Sequence, residues 1–544
     1  MHKILYDLCI IGTGPAGIIT ALEYSKLNPN KTIALIEYGK AGIIKNQLDD
    51  SIYISDLTNH HPAYECTNKG FGGTSQTWGG RCVMYDEIDF IDRPILNNGC
   101  TWNLNLFEEV NQYLPKTAEY FECGEAKFDL NQIGKFKNTR IADNFISDDI
   151  SDTVIERWSM PTRFGARYRN EIEENKNIFL FEGYEGKLFG EPNSNGDIST
   201  VEIVDWNNNT KLITAKSFVI AAGAQETTRI LLRNVQLFKN LASVPDALGK
   251  YYQGHLSGKI ATVHFNGNPK NTDFGFLRDS DGTYLRRRFQ FKKDFLVKNN
   301  LLNTAIWLDN PLYHDPKHSS GAMSFMYMAM ITPFLGKKLA PPAIADSITK
   351  GKVTNLKEHF LNIAKDFPSS ITIPASIFYK RYLLKRKLPG VFLYSPENKY
   401  ALHFHSEQVP DSDNMMTLTE DGKGLIIDYK LTDDDVNSVI KLHKKLDEDL
   451  RESNCGYLEY WFDEKDLYNE IKKMSRDGLH QSGSTRIGNS DVNGVVDSNL
   501  KLFGTNNVYV CSSSVFPTSG QANPTFYIGA FAVRLAKNLT NLNS

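Results

Sequence analysis

The residues best suited to acid–base chemistry lie near the end of the 544-residue chain, in the stretch HQSGSTRIG that begins at His480. A histidine side chain has an unperturbed pKa near 6.5, so a neutral imidazole can accept a proton at physiological pH. Gly483 permits a close backbone turn, and the hydroxyl residues and Arg486 that follow favour a fixed loop. Most histidines are structural, so a chemical role for His480 needs a partner or a cofactor.

Two other histidines could be metal ligands. His403 and His405 are two residues apart in ALHFHSEQ, a spacing that places both on one face of a strand. A zinc site needs at least a third protein ligand, and the sequence offers no obvious one. We therefore predict no metal centre, and we interpret His255 as a packing or hydrogen-bonding residue.

Composition narrows the class of protein. The chain has 61 basic and 64 acidic residues, a formal net charge of −3 and 41% hydrophobic residues, so it can build a core and shows no electrostatic signature of nucleic-acid binding. Seven scattered cysteines contain no CxxC pair, which argues against a disulfide framework. With a cofactor fingerprint starting at Gly12, these features predict a cytoplasmic protein with a small-molecule partner.

The first 40 residues predict a βαβ unit. The apolar run YDLCII (6–11) is typical of a buried parallel strand, GTGPAG follows it, residues 18–27 favour a helix, and TIALI (32–36) reads as a second strand ending at Glu37. In a dinucleotide-binding unit, Gly12 makes the tight turn, Gly14 admits the pyrophosphate and Gly17 packs against the strand. Glu37 is then placed to accept hydrogen bonds from a ribose.

A second glycine-rich stretch, GFGGTSQTWGGR (70–81), predicts a loop whose backbone can lie against a flat or anionic group. With this loop the chain resembles the glucose-methanol-choline (GMC) family of FAD-dependent alcohol oxidoreductases. The resemblance recurs in FVIAAGAQETTRILL (218–232), in LGKYYQGH (248–255) and in the C-terminal block from 495 to 539. It implies an FAD-binding protein.

The resemblance also suggests how FAD is held. Some family members attach FAD through a histidine in the glycine-rich loop, where this chain has Thr77, so we expect non-covalent FAD. Cys82 lies beyond the loop and is interpreted as a small buried residue. The expected cofactor-binding residues, from the fingerprint and the resemblance together, are Gly12, Gly14, Pro15, Ala16, Gly17, Glu37, Gly72, Gly73, Thr74, Ser75, Trp78, Ala222, Gly223, Ser512, Ser513, Pro524 and Thr525.

The C-terminal block supplies the partner that His480 needs. Asn523 is a good N-cap and Pro524 suits the first position of a helix that runs to about Leu539. In the resembling family, the histidine of an H-x-x-G-[ST] segment and a His or Asn before the last helix face the substrate hydroxyl. The resemblance therefore implies that His480 is the base and Asn523 its partner, while Ser512 stands where many relatives carry an acid or a glycine.

The expected function is oxidation of an alcohol to a carbonyl by hydride transfer to flavin N5, with an electron acceptor that is oxygen or another compound. The tail SSSVFPTSGQANPT resembles members that act on carbohydrates, so we lean toward a sugar, glycoside or polyol. Non-redox lyase chemistry on the same fold, oxidation of a lipid-like or aryl alcohol, and flavin binding without turnover stay open.

The expected fold is α/β (α+β overall), with a Rossmann-like FAD-binding domain and a discontinuous substrate domain built on an antiparallel sheet. We assign residues 1–95, 165–265 and 475–544 to the first and residues 96–164 and 266–474 to the second. Met326, Met328 and Met330 alternate as if along a strand. The basic stretch 378–388 suits a solvated helix face, with peripheral membrane contact or an entrance lid as alternatives.

Overall fold

The computed structural model describes residues 4–39, 51–134, 136–160, 162–332 and 355–542. It confirms the βαβ unit, with β1 at Leu5–Ile11, α1 at Pro15–Leu27 and β2 at Ile33–Glu37. Strands β1 and β2 are parallel from Leu8 opposite Ile33. The helix begins three residues earlier than expected because proline suits the first turn of a helix.

A seven-stranded sheet surrounds this unit. Its path runs β7-β2-β1-β10-β9-β8, and β20 pairs with β10. The added strands are β7 Ile178–Glu182, β8 Tyr184–Phe189, β9 Thr200–Asp205, β10 Thr210–Ile220 and β20 Val508–Val510. The first half of β10 is antiparallel to β9, and its second half is parallel to β1 and β20. The carboxyl ends of β1, β10 and β20 therefore share one edge, where ligands bind in open α/β sheets.

A six-stranded sheet in the order β19-β11-β16-β15-β14-β5 forms the second large layer. All of its pairings are antiparallel. Its strands are β5 Ile150–Ser151, β11 Leu256–Phe265, β14 Phe289–Phe291, β15 Thr304–Asp309, β16 Lys399–Ser406 and β19 Gly456–Tyr460. Strand β11 belongs to this sheet, although the expected segment 165–265 would place it with the cofactor domain. Residue 256 is thus where the chain joins the antiparallel sheet.

Two small sheets complete the strand pairing. The four-stranded sheet runs β12-β13-β6-β4, and the three-stranded sheet runs β17-β18-β3. Their strands are β3 Ile52–Ile54, β4 Arg81–Cys82, β6 Ile155–Trp158, β12 Leu277–Arg278, β13 Tyr284–Arg287, β17 Met415–Leu418 and β18 Leu425–Asp428. The four-stranded sheet continues directly from the glycine-rich loop, since β4 begins at Arg81.

The remaining helices pack around these sheets. They are α2 Ala63–Cys66, α3 Leu104–Asn111, α4 Leu114–Phe121, α5 Phe164–Glu173, α6 Gly223–Arg233, α7 Lys293–Asn299, α8 Gly321–Ile331, α9 Leu356–Lys365, α10 Ser369–Phe378, α11 Asp433–Glu452, α12 Glu464–Met474 and α13 Pro524–Leu542. None of the described helices is long and apolar enough to cross a membrane. Helix α13 starts at Pro524, as the capping pattern predicts.

Two expectations about the middle of the chain are wrong. The alternating methionines lie in α8, because the apolar and small residues around them fit a buried helix as well as a strand. The basic stretch is not one helix: α10 ends at Phe378, a single π turn covers Tyr379–Leu383, and the chain then leaves helical geometry. Arg386 donates to the carbonyl oxygens of Glu122 and Trp158, which ties this segment to the protein.

Two hydrophobic clusters explain the α/β organisation. One surrounds the seven-stranded sheet together with α1, α4 and α13. The other fills the space between the antiparallel sheet and α11 and α12. Each sheet thus buries one continuous apolar face against helices, which is the arrangement expected for the fold class.

Candidate active site

The first glycine-rich turn has two kinds of glycine. A Cβ on Gly12, whose φ is +105°, would lie 2.5 Å from the carbonyl oxygen of Ala221, and one on Gly17 would lie 2.0 Å from that of Gly12. These two glycines are required by packing between β1, α1 and β10. Gly14 differs, because a Cβ there would meet nothing within 4 Å. The turn therefore leaves open space at the N-terminus of α1, where Pro15 and Ala16 begin the helix.

This open space fits a dinucleotide. A Cβ added to Gly79 or Gly223 would also meet nothing within 4 Å, and Gly73 approaches Gly14 so closely that its Cβ would be 3.0 Å from the Gly14 Cα. Ala222 and Gly223 start α6 at the end of β10. Helix N-termini carry free N–H groups and partial positive charge, which attract a pyrophosphate. The residues present fit the expected cofactor.

Glu37 makes several hydrogen bonds within the protein. One carboxylate oxygen accepts from the hydroxyl of Thr13 at 2.6 Å, and the other accepts from the N–H groups of Gly39 and Gly70 at 2.8 and 3.0 Å. The side chain is buried. Glu37 thereby joins the end of β2 to both glycine-rich loops, and its contact with a ribose stays a prediction.

The second glycine-rich loop is held by its own side chains. Residues Gly73–Gln76 form a 3₁₀ turn. Ser75 donates to the carbonyl of Gly72 and accepts from the N–H of Phe164, and the Trp78 indole donates to the carbonyl of Thr162. The hydroxyls of Thr74 and Thr77 accept hydrogen bonds from Asn68. The loop is thus shaped before any ligand binds.

The expected binding residues of the C-terminal block also lie at the shared strand edge. The N–H of Cys511 donates to the carbonyl of Ile220, and Ser512 is the second residue after the end of β20. The Ser512 hydroxyl accepts from the N–H of Ser514, and the Ser513 hydroxyl donates to the carbonyl of Gln481. Pro524 and Thr525 begin α13. The second of these bonds connects the predicted cofactor site to the His480 loop.

The structure brings His480 and Asn523 together across 43 residues of sequence. The Asn523 Nδ2 and the His480 Nε2 are 2.5 Å apart. Arg81 fixes the orientation of the amide, because its Nη1 donates to Asn523 Oδ1 at 2.7 Å. The Asn523 amino group must then face the imidazole, so His480 Nε2 accepts and carries no proton. In the neutral ring, the proton sits on Nδ1.

Asp477 faces that proton. Its Oδ2 lies 3.4 Å from His480 Nδ1 and 3.5 Å from His255 Nδ1, and its Oδ1 accepts from the N–H groups of Leu479 and His480. Burial alone would raise the pKa of Asp477, but His480 and His255 hold that pKa well below its usual value. A buried carboxylate therefore orients the imidazole and stabilises its protonated form, as the acid of a Ser-His-Asp triad does.

The low pKa of Asp477 makes a stability prediction. Because the pKa is lower in the folded state than the unfolded value of about 3.9, the stabilisation is fully present above about pH 4 and is lost as pH falls below it. We expect the difference in free energy of unfolding between the wild type and Asp477→Asn to shrink as pH is lowered through this range. Urea unfolding at several pH values measures it, and a pH-independent difference would contradict it.

Three imidazoles cluster at this point. The ring centroids of His255 and His405 are 4.2 Å apart. The centroid of His480 lies 5.1 Å from that of His255 and 5.2 Å from that of His405. Their nitrogen atoms lie within 4.8 Å of one another, close enough to hold a metal ion. Burial lowers the pKa of both His255 and His405, which keeps these rings neutral. His405 therefore meets His255 and His480, while His403, on the same face of β16, contacts Ser257 and Asp309.

The rest of the His480 loop is fixed by packing. A Cβ on Gly483, whose φ is +91°, would lie 1.8 Å from the carbonyl oxygen of Tyr251. The hydroxyls of Ser484 and Thr228 are 2.8 Å apart, and the Arg486 guanidinium lies 3.6 Å from the centroid of the Tyr251 ring. Gly483 is therefore needed because its backbone packs closely against the backbone of Tyr251.

Sequence reasoning missed Arg81, Asp477 and His405 as members of this group. Asp477 had a local signal, since an aspartate next to a glycine often caps the N–H groups that follow it. Arg81 and His405 had none, because they reach Asn523 and His480 only through the pairing of distant strands. The structure brings the predicted pair into contact, and the orientation of the pair comes from residues that the motifs do not include.

Comparison with known proteins finds one family profile and several solved structures with the same fold. Residues 410–532 match the profile described as GMC oxidoreductase. The whole chain has the fold of a fungal aryl-alcohol oxidase, at 15% identity and a TM-score of 0.51 over 99% of both chains. An FAD-dependent oxidoreductase from Chaetomium thermophilum gives 15% identity and a TM-score of 0.50 over 99% of both chains. Formate oxidase from Aspergillus oryzae RIB40 gives 13% and 0.50 over 99% of this chain and 98% of that one. No curated protein matches the chain.

Proposed function

We propose that the chain is an FAD-dependent oxidoreductase of the GMC type, and that it oxidises an alcohol to a carbonyl with His480 as base and Asn523 as its partner. The supporting observation is the 2.5 Å contact between His480 Nε2 and Asn523 Nδ2. It brings a proton acceptor and a hydrogen-bond donor to one point. A substrate hydroxyl that replaces this direct hydrogen bond would give its proton to the imidazole and accept a hydrogen bond from the amide.

The base is needed because oxidation of an alcohol removes a hydride and a proton. Without a proton acceptor, a protonated carbonyl of high energy would form. When bound, FAD supplies the hydride acceptor. His480 takes the proton at Nε2 while Asp477, 3.4 Å from Nδ1, holds the ring and balances the new positive charge. Asn523 keeps the substrate oxygen in line.

The proposed substrate is a sugar, glycoside or polyol, supported by the resemblance of the tail SSSVFPTSGQANPT to carbohydrate-oxidising members. An anaerobic screen of sugars, polyols, aryl alcohols and simple alcohols tests it through bleaching of the oxidised flavin. Bleaching by a carbohydrate is the expected result. If only aryl or lipid-like alcohols bleach the flavin, the substrate is an alcohol of that class. Turnover without bleaching would indicate a lyase. If no compound causes bleaching or turnover, the chain is a flavin-binding protein without turnover.

We expect FAD to be held without a covalent bond. Thr77 has no nucleophilic nitrogen to link to the flavin, and burial places the pKa of the Cys82 thiol well above its usual value. Acid precipitation should therefore release all of the yellow chromophore into the supernatant. A yellow pellet, with the flavin mapped to a peptide, would contradict this expectation and identify the linking residue.

The electron acceptor and the location complete the proposal. Oxygen and an artificial quinone, offered after anaerobic reduction, separate an oxidase from a dehydrogenase by their relative rates of reoxidation. The seven cysteines are all free thiols, which suits a reducing compartment. We propose the cytoplasm, and cell fractionation tests it.

A further inference from the structure

Three arginines share a single carboxylate next to Asn523. Arg81 donates to Glu156 at 2.5 Å, Arg286 contacts the same carboxylate at 2.5 and 3.0 Å, and Arg288 lies 3.5 Å from it. Glu156 is fully buried. Arg81 is also the residue that donates to Asn523 Oδ1. The cluster therefore touches the proposed catalytic pair directly.

Strand register explains why these side chains meet. Arg286 on β13 is opposite Glu156 on β6, and Arg81 on β4 is opposite Trp158. Because side chains alternate between the faces of a sheet, Arg81, Glu156 and Arg286 lie on one face. Arg287 points to the other face and pairs with two carboxylates, Asp273 at 2.8 Å and Asp152 at 3.0 Å, of which Asp152 is shared with the exposed Arg140.

At this face three guanidinium groups share one buried carboxylate. Of the four arginines in the described chain that are almost completely buried, Arg93, Arg157 and Arg287 each pair with a carboxylate of their own, whereas Arg288 shares Glu156. The Nε atoms of Arg81 and Arg288 are buried without a hydrogen-bond partner, as is the Nε of the paired Arg93, so the difference lies in the number of carboxylates. Folding thus buries more positive charge here than the described carboxylates balance.

Nearby acids do not correct the imbalance. Asp309 is paired with Lys259 at 2.8 Å. Asp86 accepts from the amino group of Gln521, whose oxygen accepts from Arg288, so Asp86 does not contact Arg288 directly through this amide. Asp477 faces His255 and His480. Burial lowers the pKa of Arg81 to about 10, so its guanidinium stays charged at neutral pH. Unpaired buried charge is costly, and an anionic ligand would offset that cost.

Aromatic rings border the same guanidinium groups. The Arg286 guanidinium lies 4.2 Å from the centroid of Trp307 and 5.0 Å from that of Trp158, and the Arg81 guanidinium lies 4.7 Å from that of Trp307. Stacking holds the planar groups in place, and a fixed guanidinium is preorganised to bind a carboxylate or phosphate.

We propose that the substrate alcohol carries an anionic oxygen group, a carboxylate or a phosphate, and that the Arg81–Arg286–Arg288 cluster binds this group while His480 and Asn523 hold the hydroxyl. The inference rests on the proposed function, because it places the reacting hydroxyl at the His480–Asn523 pair. A hydroxy acid, sugar acid or sugar phosphate has the required chemistry.

Matched pairs of probes test the proposal on the FAD-loaded protein. The pairs are gluconate with sorbitol, glucose 6-phosphate with methyl glucoside, and 4-(hydroxymethyl)benzoate with benzyl alcohol. Dissociation constants come from changes in the flavin absorption spectrum during anaerobic titration. Binding alone perturbs the spectrum, so the method also serves for a probe that is not oxidised. We expect an anionic member to bind at least about tenfold tighter than its neutral partner at low salt, with a preference that falls in high salt. The pair that responds distinguishes carboxylate from phosphate.

Substitution of Arg286 assigns the preference to the cluster. Arg286→Gln should reduce the ratio of anionic to neutral affinity by about tenfold, Arg286→Lys should keep most of it, and the exposed Arg451→Gln should leave it unchanged. Equal or tighter binding of the neutral member in every pair would overturn the proposal. So would an Arg286→Gln protein that changes the flavin spectrum but keeps the ratio. Tight anion binding without bleaching by any probe would instead overturn the proposed function.

Discussion

His480→Ala should retain FAD and reduce the rate of flavin reduction by alcohol at least about 100-fold. A positioned general base contributes about 10² to 10⁴ in rate, equivalent to about 3 to 5.5 kcal/mol of barrier. His480 is the ring that accepts from Asn523 at Nε2, and its side chain is partly exposed, unlike those of His255 and His405. Single-turnover stopped-flow measurements under anaerobic conditions give the rate directly.

The matched control is His264→Ala. His264 pairs with the exposed Glu459 near the end of β11 that is farther from His255, so its loss should leave flavin reduction unchanged. If His480→Ala reduces the flavin as fast as the wild type, His480 has no part in the chemistry. Loss of FAD from His480→Ala would show that the residue is structural.

Asp477→Asn should slow flavin reduction by about 100-fold while changing the dissociation constant of the alcohol little. Asparagine can turn its amino group toward His480 Nδ1, which favours the tautomer with the proton on Nε2 and removes the acceptor. Loss of the acid in a Ser-His-Asp triad lowers kcat about 10⁴-fold. The effect here should be smaller because Oδ2 is 3.4 Å from Nδ1, longer than a strong charged hydrogen bond.

Asp435→Asn is the control for Asp477→Asn. Asp435 is also buried, but it caps α11 and contacts Thr432 and Val409. Its hydrogen bonds go to Thr432 and Val409 and not to the three histidines, so this variant should reduce the flavin at the wild-type rate. If Asp477→Asn weakens alcohol binding as much as it slows reduction, Asp477 supports the fold of the loop and does not position the base.

Local signals in the sequence were enough to find the elements that carry the predicted cofactor site. The run from Tyr6 to Glu37 has a strand, a glycine turn, a helix and a second strand in order, and the structure has the same four elements. The start of α13 at Pro524 follows from the capping preference of Asn523 and the fixed φ of proline. Such signals depend on a few neighbouring residues, so they can be recognised in the sequence without knowledge of the fold. The methionines of α8 show the limit, since an apolar run does not distinguish a buried helix from a strand.

By itself, the sequence determined that a βαβ unit with glycine turns precedes a capped C-terminal helix, and the family resemblance added the His480–Asn523 pair. Tertiary structure alone decided how that pair is oriented, through Arg81, which is 442 residues from Asn523. It also decided that three arginines share Glu156, because strand register places residues far apart in the chain on one face. The physical reason is range: turns, caps and periodicity are set by neighbours in sequence, whereas proton positions and charge balance depend on side chains that meet only after the sheets have formed.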